Sequence, residues 1–173
     1  METFVKYICN EQHYSEVLAR VQQVKRYLWI GTADIKDVYV EQGSESVPFL
    51  KILSDLIARG VDVRLIHAKE PGPAFRDDFD KYPLLASRLE RVLCPRVHFK
   101  MILFDLDTAY VGSANLTGAG IGMKSSNRRN FECGVLTNEP NLVNNAMDQF
   151  DKVWMGSFCK KCGRKQYCAD RIK

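Results

Sequence analysis

The sequence predicts an α/β fold, a mixed and largely antiparallel β-sheet flanked by helices on both faces. Three observations lead there. Residues 27–68 read as a strand, an amphipathic helix and a second strand, the signature of a parallel α/β layer. Three more strand candidates follow in close succession at 89–93, 97–104 and 108–111, and joints this short imply antiparallel pairing. A last strand over 130–137 and a closing helix over 141–154 complete the pattern.

Each element has a local cause. In 14–24 the apolar positions Val17, Leu18, Val21 and Val24 repeat at helical spacing, which predicts an amphipathic helix. "YLWIG", starting at Tyr27, is an apolar run of strand length. Over 47–59, Phe49, Leu50, Leu53, Leu56 and Ile57 form the buried side of a helix, with Ser46 as its expected cap and Gly60 just past its end. "VDVRLIHA" (61–68) is the next strand. Residues 69–83 mix Pro, Gly and charge and are expected to be a loop with a short helix. Strands 97–104 and 108–111 are joined by Asp105-Leu106-Asp107, and Asn138 or Asn141 is the expected cap of the last helix.

A chain of 173 residues, 46% hydrophobic and 27% charged, can bury one sizeable core but not two. One domain over 1–156 with a tail over 157–173 is therefore expected. The tail holds six cations against Asp170 alone, leaving 19 cations and 20 anions in 1–156. The net charge of +4 is thus an appendage, suited to a polyanionic partner. The start carries no basic segment followed by an apolar run, and no run approaches the roughly 18 apolar residues that cross a bilayer. The expectation is a cytoplasmic protein with no membrane partner.

The stretch "VHFKMILFD" (97–105) is mostly apolar, yet it carries His98 and Lys100, two apart and so on one face of a strand. From His98 the chain reads H-x-K-x4-D through Lys100 and Asp105. Gly112-Ser113-Ala114-Asn115 follows after six intervening residues, and then Asn130-Phe131-Glu132. Cleaving a phosphodiester requires a nucleophile, a proton donor and fixed positive charge on the non-bridging oxygens. His98 supplies an imidazole and Lys100 a cation, while Ser113 and Asn115 add hydroxyl and amide donors on a glycine turn. Glu132 shares a face with Asn130 and is expected to accept the other ring N–H of His98. Asp105 has the opposite parity to His98, which favours a role in the turn over direct chemistry. Cys133 has the opposite parity to Glu132 and is expected in the core. A second H-x-K, His67 to Lys69, has Ala74 where the aspartate would stand, so His67 is at most near the site.

The pattern from 98 to 132 resembles the phospholipase D superfamily, whose signature reads H-x-K-x4-D-x6-G-S-x-N, and within it the small single-motif nucleases. The resemblance extends to the α/β frame over 27–154 and leaves the tail outside. It implies that His98, Lys100, Asp105, Ser113, Asn115 and Glu132 form the catalytic set of a phosphodiesterase that works through a phosphohistidine and needs no catalytic metal. Members bring two such motifs face to face. This chain has one, so the resemblance implies a homodimer with its site across a two-fold axis.

For the substrate, the segment between the G-S-x-N turn and Glu132 is glycine-rich and carries Lys124, Arg128, Arg129 and Asn130, which could track a nucleic-acid backbone. DNA or RNA is the expected substrate. A phospholipase or phosphatidyl transferase is the rival, and a nucleic-acid-binding module with an idle catalytic motif is the alternative outside enzymes. The tail's Cys159, Cys162 and Cys168 form C-x2-C-x5-C, which in a reducing compartment suits a metal better than a disulfide. A structural zinc with Cys94 as fourth ligand is expected, with Cys9, His13 or Asp170 as substitutes and an iron–sulfur cluster as the other option.

Overall fold

The most apolar strands lie at the middle of the structure, where both faces of a sheet are covered. The computed structural model describes residues 2–36 and 38–170. In chain order its main elements are β1 (Val5–Cys9), β2 (Tyr27–Thr32), β3 (Tyr39–Gln42), β4 (Glu45–Pro48), α1 (Phe49–Ala58), β5 (Asp62–His67), α2 (Pro73–Phe79) and α3 (Pro83–Arg88). Then follow β6 (Glu90–Leu93), β7 (Lys100–Phe104), β8 (Thr108–Gly112), β9 (Cys133–Thr137) and α4 (Pro140–Trp154). Seven strands form one sheet in the order β1-β9-β8-β7-β2-β5-β6. The β2–β5 and β5–β6 pairs are parallel and the other four antiparallel, so the sheet is mixed and largely antiparallel.

Strand parity sorts the core into two layers. Leu28, Ile30, Leu65, Ile102, Phe104 and Tyr110 face one way, packing with α1, α2, α3 and the segment 13–23. Trp29, Ile66, Met101 and Leu103 face the other way, onto Val143, Ala146 and Phe150 of α4. The Trp29 and Phe150 rings stack there with centroids 5.1 Å apart. Helices therefore lie on both faces, as the sequence predicts. Among the described residues no helix is long and apolar enough to cross a membrane.

Several boundaries differ from the sequence reading. Residues 13–18 form a π-helical turn and 19–23 a 3-10 helix, not an α-helix over 14–24. The wider turn lets His13 and Leu18, five residues apart, both be buried. The helix expected over 47–59 begins at Phe49, because 45–48 pairs with 39–42 and places Ser46 opposite Glu41; Ser46 is a strand residue, not a cap. Gly60 does end that helix, with φ of +88°. The cap of α4 is Glu139, whose carboxylate accepts the N–H groups of Asn141 (3.1 Å) and Leu142 (2.8 Å), ahead of Pro140 in the first turn. Asn138 instead accepts the Phe4 N–H at 2.7 Å, tying in β1.

Two larger corrections concern pairing. The strand at 90–93 does not turn back on β7. It pairs parallel to β5 at the far edge of the sheet, and the chain then crosses β5 and β2 to reach β7. The ladder of the strand after His98 starts at Lys100, not Val97, and that of the last strand at Cys133, not Asn130. Strand β1 has no sequence signal of burial because Val5 and Tyr7 are 61% and 65% exposed. Its partner β9 defines it.

Candidate active site

His98 and Lys100 stand at the start of β7, where it faces the end of β8 and the turn that follows. Lys100 is paired with Gly112 in the ladder. Its side chain is only 7% exposed, whereas His98 is exposed. The Lys100 Nζ donates to the His98 carbonyl at 2.7 Å and lies 3.3 and 3.4 Å from the two ring nitrogens. Burial pushes the Lys100 ammonium below the ordinary lysine range, and the nearby charge of Glu132 opposes that shift.

The exposed His98 is held by its neighbour. Phe99 points to the opposite face and lies across Gly31 of β2, where an added Cβ would fall 2.2 Å from its ring. Phe99 also packs on Phe150 of α4. A bare glycine in β2 thus anchors the residue between the two catalytic candidates. In the sequence Gly31 reads only as the end of a strand, and the parity of Phe99, opposite to that of His98 and Lys100, is the signal that it points away from them.

The G-S-x-N turn is built on β8 and β9. Gly112 has no room for a side chain, since a Cβ would meet the Tyr110 hydroxyl at 2.3 Å and the Cys133 carbonyl at 2.6 Å. The close approach that requires glycine here is to the fold itself. Ser113 donates to Glu132 in a short contact, and its Oγ accepts the Cys133 N–H at 3.0 Å. The other Glu132 oxygen accepts from Asn130 Nδ2 at 2.9 Å. Asn115 turns its Oδ1 onto the Asp34 N–H (3.1 Å), and Thr32 bonds the Leu116 N–H at 3.3 Å. That use of Oδ1 leaves the Asn115 NH2 as the donor end.

Glu132 does not meet His98 as expected. Its carboxylate is taken by Ser113 and Asn130, and among the described residues the His98 ring meets Lys100 only. Glu132 acts on the site through the Ser113 hydroxyl and through its charge on Lys100. Its backbone is clamped to Asn10, a residue that sequence reading missed, by hydrogen bonds of 3.1 and 3.3 Å. Cys133 is exposed, not a core residue, because its side of the sheet is uncovered near this end.

Asp105 sits at the far end of β7. At about 3.3 Å per residue it lies roughly 16 Å along the strand from Lys100. Its φ is +50°, and its carboxylate accepts the N–H groups of Lys25, Arg26 and Tyr27. Burial raises its pKa, and these three bonds with the Arg26 charge more than offset that, holding the carboxyl below its ordinary value. It joins the β7–β8 turn to the start of β2.

Of the expected substrate contacts, Lys124 and Arg128 are exposed in the 116–130 loop. Arg129 pairs with Glu11 at 3.2 Å, and Asn130 orients Glu132. His67 is fully buried at the end of β5, its Nδ1 2.7 Å from the Lys69 carbonyl. Cys94, Cys159, Cys162 and Cys168 carry free thiols, and among the described residues no three His, Cys, Asp or Glu side chains are arranged to hold a metal ion.

A mixed sheet presenting His98, Lys100, Ser113, Asn115 and Glu132 at one end of β7, β8 and β9 defines a protein of the phospholipase D-like class. The chain belongs to the family described as "Cardiolipin synthase, PLD-like domain", whose model matches residues 17–154. No curated protein matches by sequence. Among solved structures, Nuc from Salmonella typhimurium, a phospholipase D family member, is 20% identical, with a TM-score of 0.65 over 89% of this chain and 95% of that one. NucT from Helicobacter pylori is 13% identical, with a TM-score of 0.66 over 89% and 97%. TrmBL2, an archaeal chromatin protein whose structure shows a novel mode of DNA binding, is 14% identical, with a TM-score of 0.59 over 87% and 52%.

Proposed function

We propose that two copies of this chain form a phosphodiesterase that hydrolyses nucleic acid without a catalytic metal, each copy supplying one His98 to a shared site. The observation that carries this reading is the supply of imidazoles. His98 is exposed beside a buried Lys100, while the other histidines, His13 and His67, are 2% and 0% exposed and cannot reach a substrate. A mechanism that needs an attacking and a protonating imidazole must take the second from another chain.

In the proposed cycle His98 attacks phosphorus and forms a P–N bond as the P–O bond to the leaving group breaks. His98 of the partner subunit gives its proton to the departing oxygen. That imidazole then takes a proton from water, whose oxygen attacks the phosphohistidine and frees His98. Lys100 and the Asn115 NH2 face the non-bridging oxygens, where negative charge must be held throughout. The two His98 residues start alike and take opposite protonation states once substrate is bound.

Two features support the pairing and the substrate. Val5, Tyr7 and Val111 are 61%, 65% and 44% exposed on one face of the β1-β9-β8 end of the sheet, and Phe131, the residue before Glu132, is 93% exposed, so apolar surface is open at this end. Lys124 and Arg128 add exposed positive charge at the loop above the turn.

The test mixes wild-type chain with His98→Ala chain, allows exchange, and follows nucleic-acid cleavage in EDTA. If both His98 residues are required, activity falls as the square of the wild-type fraction, to about a quarter in an equal mixture. A linear fall refutes the shared site. Parallel assays on single-stranded DNA, duplex DNA, RNA and phospholipid vesicles identify the substrate, and cleavage of phospholipid alone overturns the nucleic-acid reading.

A further inference from the structure

We propose that Cys94, Cys159, Cys162 and Cys168 bind one zinc ion that staples the C-terminal tail to the segment leading into His98. The first ground is placement. Cys94, Cys159 and Cys162 line one cavity of about 360 Å³ between the tail, the end of α4 and the 94–99 segment. Cys168 lies close by, its Sγ 3.7 Å from the carbonyl of Leu93, the residue before Cys94, and near enough to Cys94 and Cys159 to feel their charge. Asp170 accepts the Leu93 N–H at 2.7 Å, so the tail docks along the free edge of β6 and holds Cys168 against it.

The second ground is local geometry at the sulfurs. The C-x2-C segment closes as a turn, with the Cys162 N–H bonded to the Cys159 carbonyl at 3.1 Å, which brings the two side chains to one side. The Arg164 N–H points at the Cys162 sulfur at 3.4 Å, an arrangement that stabilises a thiolate. Arg96 and Lys152 line the same cavity and offset the net −2 charge of zinc with four thiolates. As the thiols stand, no three converge on one point. All four sit on turns or loops, where rotation of the side chains can close the set.

The third ground is that the tail buries little of itself. Residues 155–170 contain only one 3-10 turn, Lys165–Tyr167, with no buried residue, and Met155, Phe158 and Tyr167 are 68%, 53% and 66% exposed. A segment of this kind does not bury enough apolar surface to offset the entropy of fixing it, and a metal cross-link is the usual remedy. On binding, the four thiols give up their protons and zinc takes the four sulfurs as tetrahedral ligands, with no change of oxidation state. The ligand set would hold Cys94, four residues before His98, so the metal would brace the approach to the catalytic strand.

Metal content can be read without reference to catalysis. Full-length protein purified with a reductant and no chelator is analysed by elemental mass spectrometry, and about one zinc per chain is expected. Cys94→Ser and Cys168→Ser should lower the zinc content severalfold, and Cys133→Ser should leave it unchanged. Should the serine variants fail to fold, thiol titration of the wild type decides. Fast-reacting thiols should rise from about two to about six after zinc is removed by a strong chelator. No metal, iron with acid-labile sulfide, or a disulfide within the set in reduced preparations would each overturn the proposal.

Discussion

Replacing Asp105 with asparagine separates structure from chemistry at the last position of the H-x-K-x4-D motif. One carboxylate oxygen accepts from Lys25, Arg26 and Tyr27 at 3.1, 2.7 and 3.1 Å, and the other also accepts from Lys25 at 3.1 Å. Asparagine keeps one neutral acceptor and tolerates the positive φ, so the change is confined to charge and one oxygen. Charge-assisted bonds contribute about 1.5–3 kcal/mol and neutral ones about 1. The three donor residues are exposed, so water replaces part of the loss. Asp105→Asn should therefore cost about 1–2 kcal/mol and lower Tm by roughly 2–8 °C. Because the folded pKa of Asp105 is depressed, its contribution is complete above the unfolded value of about 4 and fades as pH falls through the folded one. The Tm difference between wild type and variant should accordingly shrink below about pH 4. Thermal unfolding and turnover of a chromogenic phosphodiester are measured on the same samples. A loss of kcat of about 100-fold or more with Tm unchanged would refute a purely structural Asp105.

Three further outcomes are expected. Since burial lowers the Lys100 pKa and Glu132 partly restores it, activity should fall on the alkaline side below the ordinary lysine range. Glu132→Gln should move that fall to still lower pH, and a limb that stays put would remove Glu132 from the electrostatics of the site. Gly31→Ala drives a methyl into the Phe99 ring and should cost about 1–3 kcal/mol with reduced turnover, partly rescued by Phe99→Leu in thermal unfolding and rate assays. Phe131→Asp puts a charge into the exposed apolar edge. It should leave Tm within a few degrees while sedimentation reads a monomer and activity is lost; an active dimer would refute that edge as the contact.

Much of the fold was legible because it rests on period and composition. Leu28, Ile30, Leu65, Ile102 and Leu103 read as strand residues and are 0–5% exposed. Val5 and Tyr7 of β1, and the β3–β4 hairpin, were not legible. Their strands are recognised by the partners they bond to, and Val5 and Tyr7 lack the burial that leaves an apolar pattern. The parallel pairing at 90–93 was misread because a short connection in sequence can still cross two strands in space.

The candidate site divides along the same line. His98 and Lys100 could be put on one face from the sequence alone, because alternation along a strand is a local geometric rule. Their chemistry and that of Ser113 and Asn115 follow from residue type. Whether Glu132 would meet His98, Ser113 or Lys100 depends on how β8, β9 and the Asn10 turn are stacked, and only the assembled sheet decides that. The same holds for Asp105, whose partners Lys25, Arg26 and Tyr27 lie at the entry to β2, about 80 residues away in sequence. Sequence determines what a side chain can do. The tertiary structure decides which group it does it to, because contacts between distant segments are set by packing and not by spacing along the chain.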